Sequence, residues 1–285
     1  VYKCDESAYS KNDWKPFLKP KKGTILTSFV IFDKYLVVGE SKDMENRLKV
    51  IDKATNKSFY TKISEDIHLI SPRSNPKFDS DTIQYTVSSM KTPSQVWNLN
   101  MADKGFRLVK EQEVKNYFRS NWIKNKRVWV EARDGTKIPM TLLYRNWDAN
   151  KNNNYKRVYM SSYGSYGSGI EAGFNSTIYS LINRGFIYAI PHVRGGGELG
   201  QKWHDGGKMM NKLNTFTDFI DCADYLVEEG YVKKGNIVAQ GGSAGGLLMG
   251  AIVNMRPDLF KFVILDVPFV DVMNTMLDEK LPLTT

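Results

Sequence analysis

The 285-residue chain is 41% apolar and 12% aromatic, enough to build a core and too much for wholesale disorder. Its 40 basic and 31 acidic residues give a formal charge of +9, yet the basic residues are scattered (Lys15, Lys19, Lys21 and Lys22, then Lys124, Lys126 and Arg127) and no stacking motif interleaves with them. A solvated basic surface, not a nucleic-acid groove, is therefore expected. The longest uncharged apolar run, near residues 247–253, falls far short of the roughly 20 residues of a membrane helix, so neither nucleic acid nor a membrane is an expected partner. Cys4 and Cys222 are too few for a disulfide framework or a Cys-rich metal site, which fits a reducing, cytoplasmic compartment. The chain begins at Val1 with no initiator methionine, a start that need not be the native one.

Residues 24–110 alternate apolar and polar positions, rich in β-branched types. Strands are predicted at 24–32, 34–40, 47–51 and 58–63, and again at 67–71, 82–88, 95–99 and 106–110. Each set ends in a comparable hairpin, with Ala54-Thr55-Asn56-Lys57 at one turn and Ala102-Asp103-Lys104-Gly105 at the other. Units of about 40–45 residues have the size of propeller blades. The pattern equally admits a plain β-sandwich, and two blades cannot close a ring of the usual 4–8.

The style changes after Glu111-Gln112-Glu113, which places a domain boundary near 112–118 and divides the chain into 1–113 and 114–285. Strands at 126–132 and 138–144 flank the turn Arg133-Asp134-Gly135-Thr136. A strand (157–162), a helix (175–183) and a strand (186–193) follow. Next come a helix at 215–229 with an apolar face of Phe219, Cys222, Ala223 and Leu226, a strand (236–240), a helix (244–254) and a strand (261–267). Such alternation predicts an α/β domain on a mainly parallel sheet.

Gly241-Gly242-Ser243-Ala244-Gly245 fits G-x-S-x-G between a predicted strand and an apolar helix, the context of a nucleophile elbow. Small neighbours permit the sharp turn, which lifts the Ser243 hydroxyl to a helix N-terminus, where negative charge is favoured. A phosphate cradle of the Walker type would need Gly-Lys-Ser/Thr, which this turn lacks.

Beyond this elbow, residues 112–285 resemble the catalytic domain of the prolyl oligopeptidase family, and its oligopeptidase B branch most. The resemblance is carried by Tyr163-Gly164-Ser165-Tyr166-Gly167, His192-Val193-Arg194-Gly195-Gly196-Gly197-Glu198-Leu199-Gly200, residues 241–246, Arg256-Pro257-Asp258-Leu259-Phe260, Val267-Pro268-Phe269-Val270-Asp271-Val272 and Leu281-Pro282-Leu283-Thr284-Thr285. It implies an α/β-hydrolase domain preceded by the last blades of a β-propeller. Ser243 would be the acylating nucleophile, with the Tyr163 hydroxyl and the Ala244 N–H as oxyanion donors; Tyr166 competes with Tyr163 for that role. The implied substrates are short peptides cleaved after Arg or Lys, with no cofactor or metal. Glu171 would serve a substrate subsite, where the bacterial pattern carries a second acid at the position of Gly173.

A serine nucleophile needs a base, and α/β-hydrolases order their triad Ser, Asp/Glu, His. The three histidines, His68, His192 and His204, all precede Ser243. The expected acid and histidine of the family come later than residue 285, so the chain is expected to be an internal piece of a longer peptidase and inactive alone. His192 stays open as an unorthodox base, and Asp266 and Asp271 as acids, because a triad is defined by geometry. Two alternatives stand beside the Arg/Lys peptidase: a non-catalytic regulatory protein and a post-proline peptidase, the latter disfavoured by Ala244 where that branch has Asn. Arg194 and Glu198 are expected to pair with each other inside a tight Gly-rich loop.

Overall fold

The computed structural model describes residues 1–5, 7, 10–63, 65, 67–115, 122–146 and 157–280. The closing Leu281-Pro282-Leu283-Thr284-Thr285 segment and the later part of the expected domain boundary lie outside the described residues.

A ribbon of β1 (Tyr2–Lys3) and β2 (Lys15–Pro16) leads into two antiparallel four-stranded sheets. The first runs β3 (Thr24–Ile31), β4 (Tyr35–Lys42), β5 (Glu45–Asp52) and β6 (Ser58–Tyr60) in that spatial order. The second holds β7 (Leu69–Pro72), β8 (Thr82–Ser88), β9 (Gln95–Asn100) and β10 (Phe106–Glu111), again neighbour to neighbour. Strand alternation sends Leu48 and Val50 from one sheet and Ile83 and Tyr85 from the other into one shared core with Phe32 and Leu99. The two hairpins repeat in detail. Asp52 Oδ1 accepts from the Ala54 and Thr55 N–H groups, and Asn100 Oδ1 from the Ala102 N–H. The corresponding Asn56 and Lys104 both turn left-handed, at φ 55° and 63°.

The second half is a six-stranded sheet. Its elements are β11 (Ile123–Glu131), β12 (Lys137–Arg145), β13 (Arg157–Ser161), α1 (Ile178–Ile182), β14 (Phe186–Pro191), α2 (Gln201–Asp205), α3 (Leu213–Glu228), β15 (Ile237–Gly242), α4 (Ala244–Met255), β16 (Phe260–Asp266) and α5 (Val272–Leu277). The spatial order is β11-β12-β14-β13-β15-β16, antiparallel through β14 and parallel from β14 onward. From β13 the chain crosses to β14 on one side and then to β15 on the other. That reversal opens a crevice at the C-terminal ends of β13 and β15, where open α/β sheets bind ligands. Tyr163 follows the first of these strands and Ser243 the second.

The predicted face of α3 is buried completely: Phe219, Cys222, Ala223 and Leu226 are all 0% exposed. A further cluster joins the two halves, with Met90 from the loop between β8 and β9 packed among Ile123, Leu143, Tyr179 and Ile190. Tyr179 reinforces it by donating its hydroxyl to the Met90 carbonyl at 2.8 Å. Two short helices escaped the sequence pattern. One is α2, five residues between Gly200 and Gly206, and the other is α5, whose N-cap Asp271 accepts from the Asn274 N–H. The first helix is shorter than expected, because the Asn175 carboxamide oxygen accepts from the Thr177 N–H and hydroxyl and holds those residues in a turn. His68 precedes β7 instead of lying within it.

Candidate active site

Ser243 links β15 to α4 with φ 54° and ψ −119°, a conformation that costs a non-glycine residue about 1–3 kcal/mol. Contacts on three sides hold it there. Its N–H donates to the Asp266 carbonyl at 2.9 Å, and its own carbonyl accepts from the N–H groups of Gly246, Leu247 and Phe269. A serine at a helix N-cap ordinarily turns its hydroxyl onto the first-turn N–H groups. Ser243 does not, so its Oγ stands exposed at the helix N-terminus. Two glycines make the turn possible: a Cβ at Gly241 would lie 2.3 Å from the Gly245 carbonyl oxygen, and one at Gly245 2.9 Å from that of Ser162.

Tyr163 lies against this turn. Its ring and Cα are each 3.4 Å from the place a Gly245 Cβ would occupy. Tyr166 is 78% exposed at φ 57°, three residues further along the same loop. Ala244 is buried at the first position of α4, where N–H groups have no acceptor within the helix. The structure therefore brings Ser243, Ala244 and Tyr163 together. Lys212, which sequence reasoning missed, anchors the tyrosine loop by donating Nζ to the Gly164 carbonyl and the Ser165 hydroxyl, both at 2.7 Å. Burial lowers its pKa to about 8.

The histidines are engaged elsewhere. His192 is 1% exposed, with Nε2 2.8 Å from Thr141 Oγ1, and burial pushes its pKa below the usual imidazole range. His204 sits on α2 with Nδ1 3.1 Å from the Gly195 carbonyl, and His68 lies between the carbonyls of Glu65 and Asn46. None of these bonds reaches Ser243. Asp266 meets Ser243 through its backbone, and its side chain stands beside Gly242.

The expected Arg194–Glu198 pair does not form. Arg194 instead makes a two-pronged bond to Asp218, through Nε at 2.9 Å and Nη2 at 2.6 Å, and a third to Asp134 at 2.6 Å. Its backbone N–H also donates to Asp218. Two carboxylates matching the guanidinium fork satisfy it better than one neighbour four residues on. Burial works against the charge, but these bonds outweigh it and raise the Arg194 pKa. Nothing local in the sequence marks Asp134 or Asp218, which are 60 and 24 residues away. Glu198 faces His192, with Oε1 3.5 Å from Nδ1.

Glu171 is exposed and borders a cavity of about 330 Å³ between the blades and the second half, together with His68, Arg127, His192 and Glu198. Ser243 and Tyr163 are not among the residues that line that cavity.

A model described as the prolyl oligopeptidase family matches residues 172–285, and one described as the N-terminal β-propeller domain of prolyl oligopeptidase matches residues 1–112. The second match decides between blades and a sandwich: the first half is part of a β-propeller, and the second an α/β-hydrolase domain. Dipeptidyl aminopeptidase BI of Pseudoxanthomonas mexicana is 44% identical over 97% of this chain and 38% of its own length. Protease 2 of Moraxella lacunata is 34% identical over 89% of this chain and 36% of its length. Oligopeptidase B from Trypanosoma brucei, in a closed form with covalently bound antipain, superposes with a TM-score of 0.86 at 34% identity, over 94% of this chain and 39% of that one. The chain thus spans well under half the length of these relatives.

Proposed function

This chain belongs to the prolyl oligopeptidase family, and from that premise we propose that it carries the nucleophile and oxyanion donors of a serine oligopeptidase acting on short peptides. The observation that carries the proposal is the strained, exposed Ser243 at the start of α4. Its hydroxyl attacks the scissile carbonyl and passes its proton to a base, giving an acyl-enzyme and releasing the amine; water then cleaves the ester. Ala244 N–H and the Tyr163 hydroxyl donate to the oxyanion that develops in each step. Preference for Arg or Lys is supported by the oligopeptidase B likeness and by Glu171, whose carboxylate suits a basic residue beside the cleaved one. Two unpaired cysteines suit a reducing, cytoplasmic setting.

Since no histidine is hydrogen-bonded to Ser243, residues 1–285 alone are expected to hydrolyse peptides negligibly. The test is a fusion in which the aligned remaining segments of dipeptidyl aminopeptidase BI complete the chain. The fusion should cleave an Arg-containing fluorogenic peptide, and Ser243→Ala should abolish that cleavage. In the same fusion, Glu171→Gln should weaken paired-basic substrates more than single-basic ones. Turnover by residues 1–285 that disappears with Ser243→Ala would restore one of the three histidines as base. A second possibility, action as a dipeptidyl aminopeptidase, is favoured by the name of the 44%-identical relative.

A further inference from the structure

Two buried polar atoms beside the 330 Å³ cavity lack a hydrogen-bond partner, His192 Nδ1 and Glu198 Oε2. Thr141 is fully buried; its Oγ1 accepts from Arg127 Nε at 3.5 Å and lies 2.8 Å from His192 Nε2. That oxygen can also accept from Nε2, so the carboxylate decides the tautomer: with Glu198 Oε1 3.5 Å from Nδ1, the neutral imidazole carries its proton on Nδ1 and Thr141 donates to Nε2. Burial favours that neutral ring. Glu198 is left with one long contact to an uncharged N–H, and among the described residues no Lys or Arg stands within ion-pair distance of it.

The carboxylate occupies the space that two glycines leave open: a Cβ at Gly169 would lie 1.7 Å from Oε1 and one at Gly196 2.1 Å from Oε2, so a side chain at either position would displace Glu198 from this place. A carboxylate shielded from water calls for a cation or for donors. Glu171 adds a second acid to the same wall. Arg127 lines it too, anchored to the Met44 carbonyl and Thr141, with no carboxylate at ion-pair distance among the described residues.

We propose that Glu198 is a further specificity-determining carboxylate of the cationic subsite that Glu171 serves in the proposed function, the inner acid of this cavity with Glu171 as the outer one, for an ammonium or a guanidinium of the peptide. His192 is a positioning residue that aims its Nδ1–H at Glu198, and Arg127 is turned toward the peptide's carbonyl or carboxylate oxygens. The volume is at the lower end of small-ligand sites and suits one or two residues. That the cation belongs to a peptide rests on the peptidase proposal; the cation site itself does not.

The test is calorimetric titration of the Ser243→Ala chain with Ala-Arg-Ala-amide, its N-acetyl form, and both peptides with citrulline in place of arginine. At least one cationic peptide should bind about tenfold or more tightly than the uncharged acetyl-citrulline peptide. Glu198→Gln should erase that difference, and Glu171→Gln should reduce it. Loss on acetylation assigns the cation to the amino terminus, and loss on citrulline substitution assigns it to the side chain. Equal affinity for all four peptides, or an unchanged difference in Glu198→Gln, overturns the proposal. Should Glu198→Gln fail to fold, the His192 ring resonances decide, being one set among three histidines. They should shift with a cationic peptide and not with the neutral one; no difference overturns the site. Cation-selective binding that persists while the completed fusion hydrolyses nothing would remove the peptidase assignment and leave the cation site standing.

Discussion

The blades and the hydrolase half use the same apolar strand chemistry but depend on their residues differently. In each blade every strand pairs with its neighbour in sequence, and the core is specified by alternation alone. In the second half β13 lies between β14 and β15, so the sheet is assembled out of chain order. The candidate site occupies that reversal, and single residues hold it: Gly241, Ser243, Gly245, and Arg194 with Asp218. Pattern suffices for a scaffold, whereas a site needs identities.

Stability offers the sharpest way to break this contrast. Asp218→Asn leaves the buried Arg194 guanidinium short of a charged partner and should cost about 3–5 kcal/mol. Ile83→Val, at an equally buried blade position, should cost about 0.5–1.5 kcal/mol. Urea midpoints of the two variants compare them directly. Similar losses would mean that the halves are equally tolerant.

Catalysis comes next. Tyr163→Phe in the completed fusion removes one hydroxyl from the elbow and should lower kcat by about 10²–10³, with a smaller change in KM. A kcat equal to that of the parent would make Tyr163 a packing residue no different in kind from the blade tyrosines.

Legibility follows the same division. The blade strands were readable because alternation over six to eight residues is a local signal, as in β8 with Ile83 and Tyr85 inward. The elbow was readable because its strand, glycines and helix are contiguous. What escaped depends on distance in sequence. Arg194 finds Asp134 and Asp218 only once β12, β14 and α3 are packed, and Lys212 reaches the tyrosine loop from 48 residues away. The helix α2 escaped for another reason: five residues between two glycines are too few to show a period.

The smallest effect concerns Lys212. Its folded pKa of about 8 lies below the ordinary lysine value, so the unfolded chain binds more protons between about pH 8 and 10.4. The penalty for burying the charged amine is full below pH 8 and is relieved as pH rises through that window. Stability should thus gain a rising component there, which Lys212→Met removes. Identical pH profiles for the two proteins would place the amine in water, as on the outer faces of the blades.

The nucleophile itself is tested most directly by covalent labelling. A fluorophosphonate probe on the completed fusion, followed by peptide mapping, should place one adduct on Ser243, and Ser243→Ala should remove it. An adduct on any other residue, or labelling that survives Ser243→Ala, would contradict the assignment of this strained serine as the acylated residue.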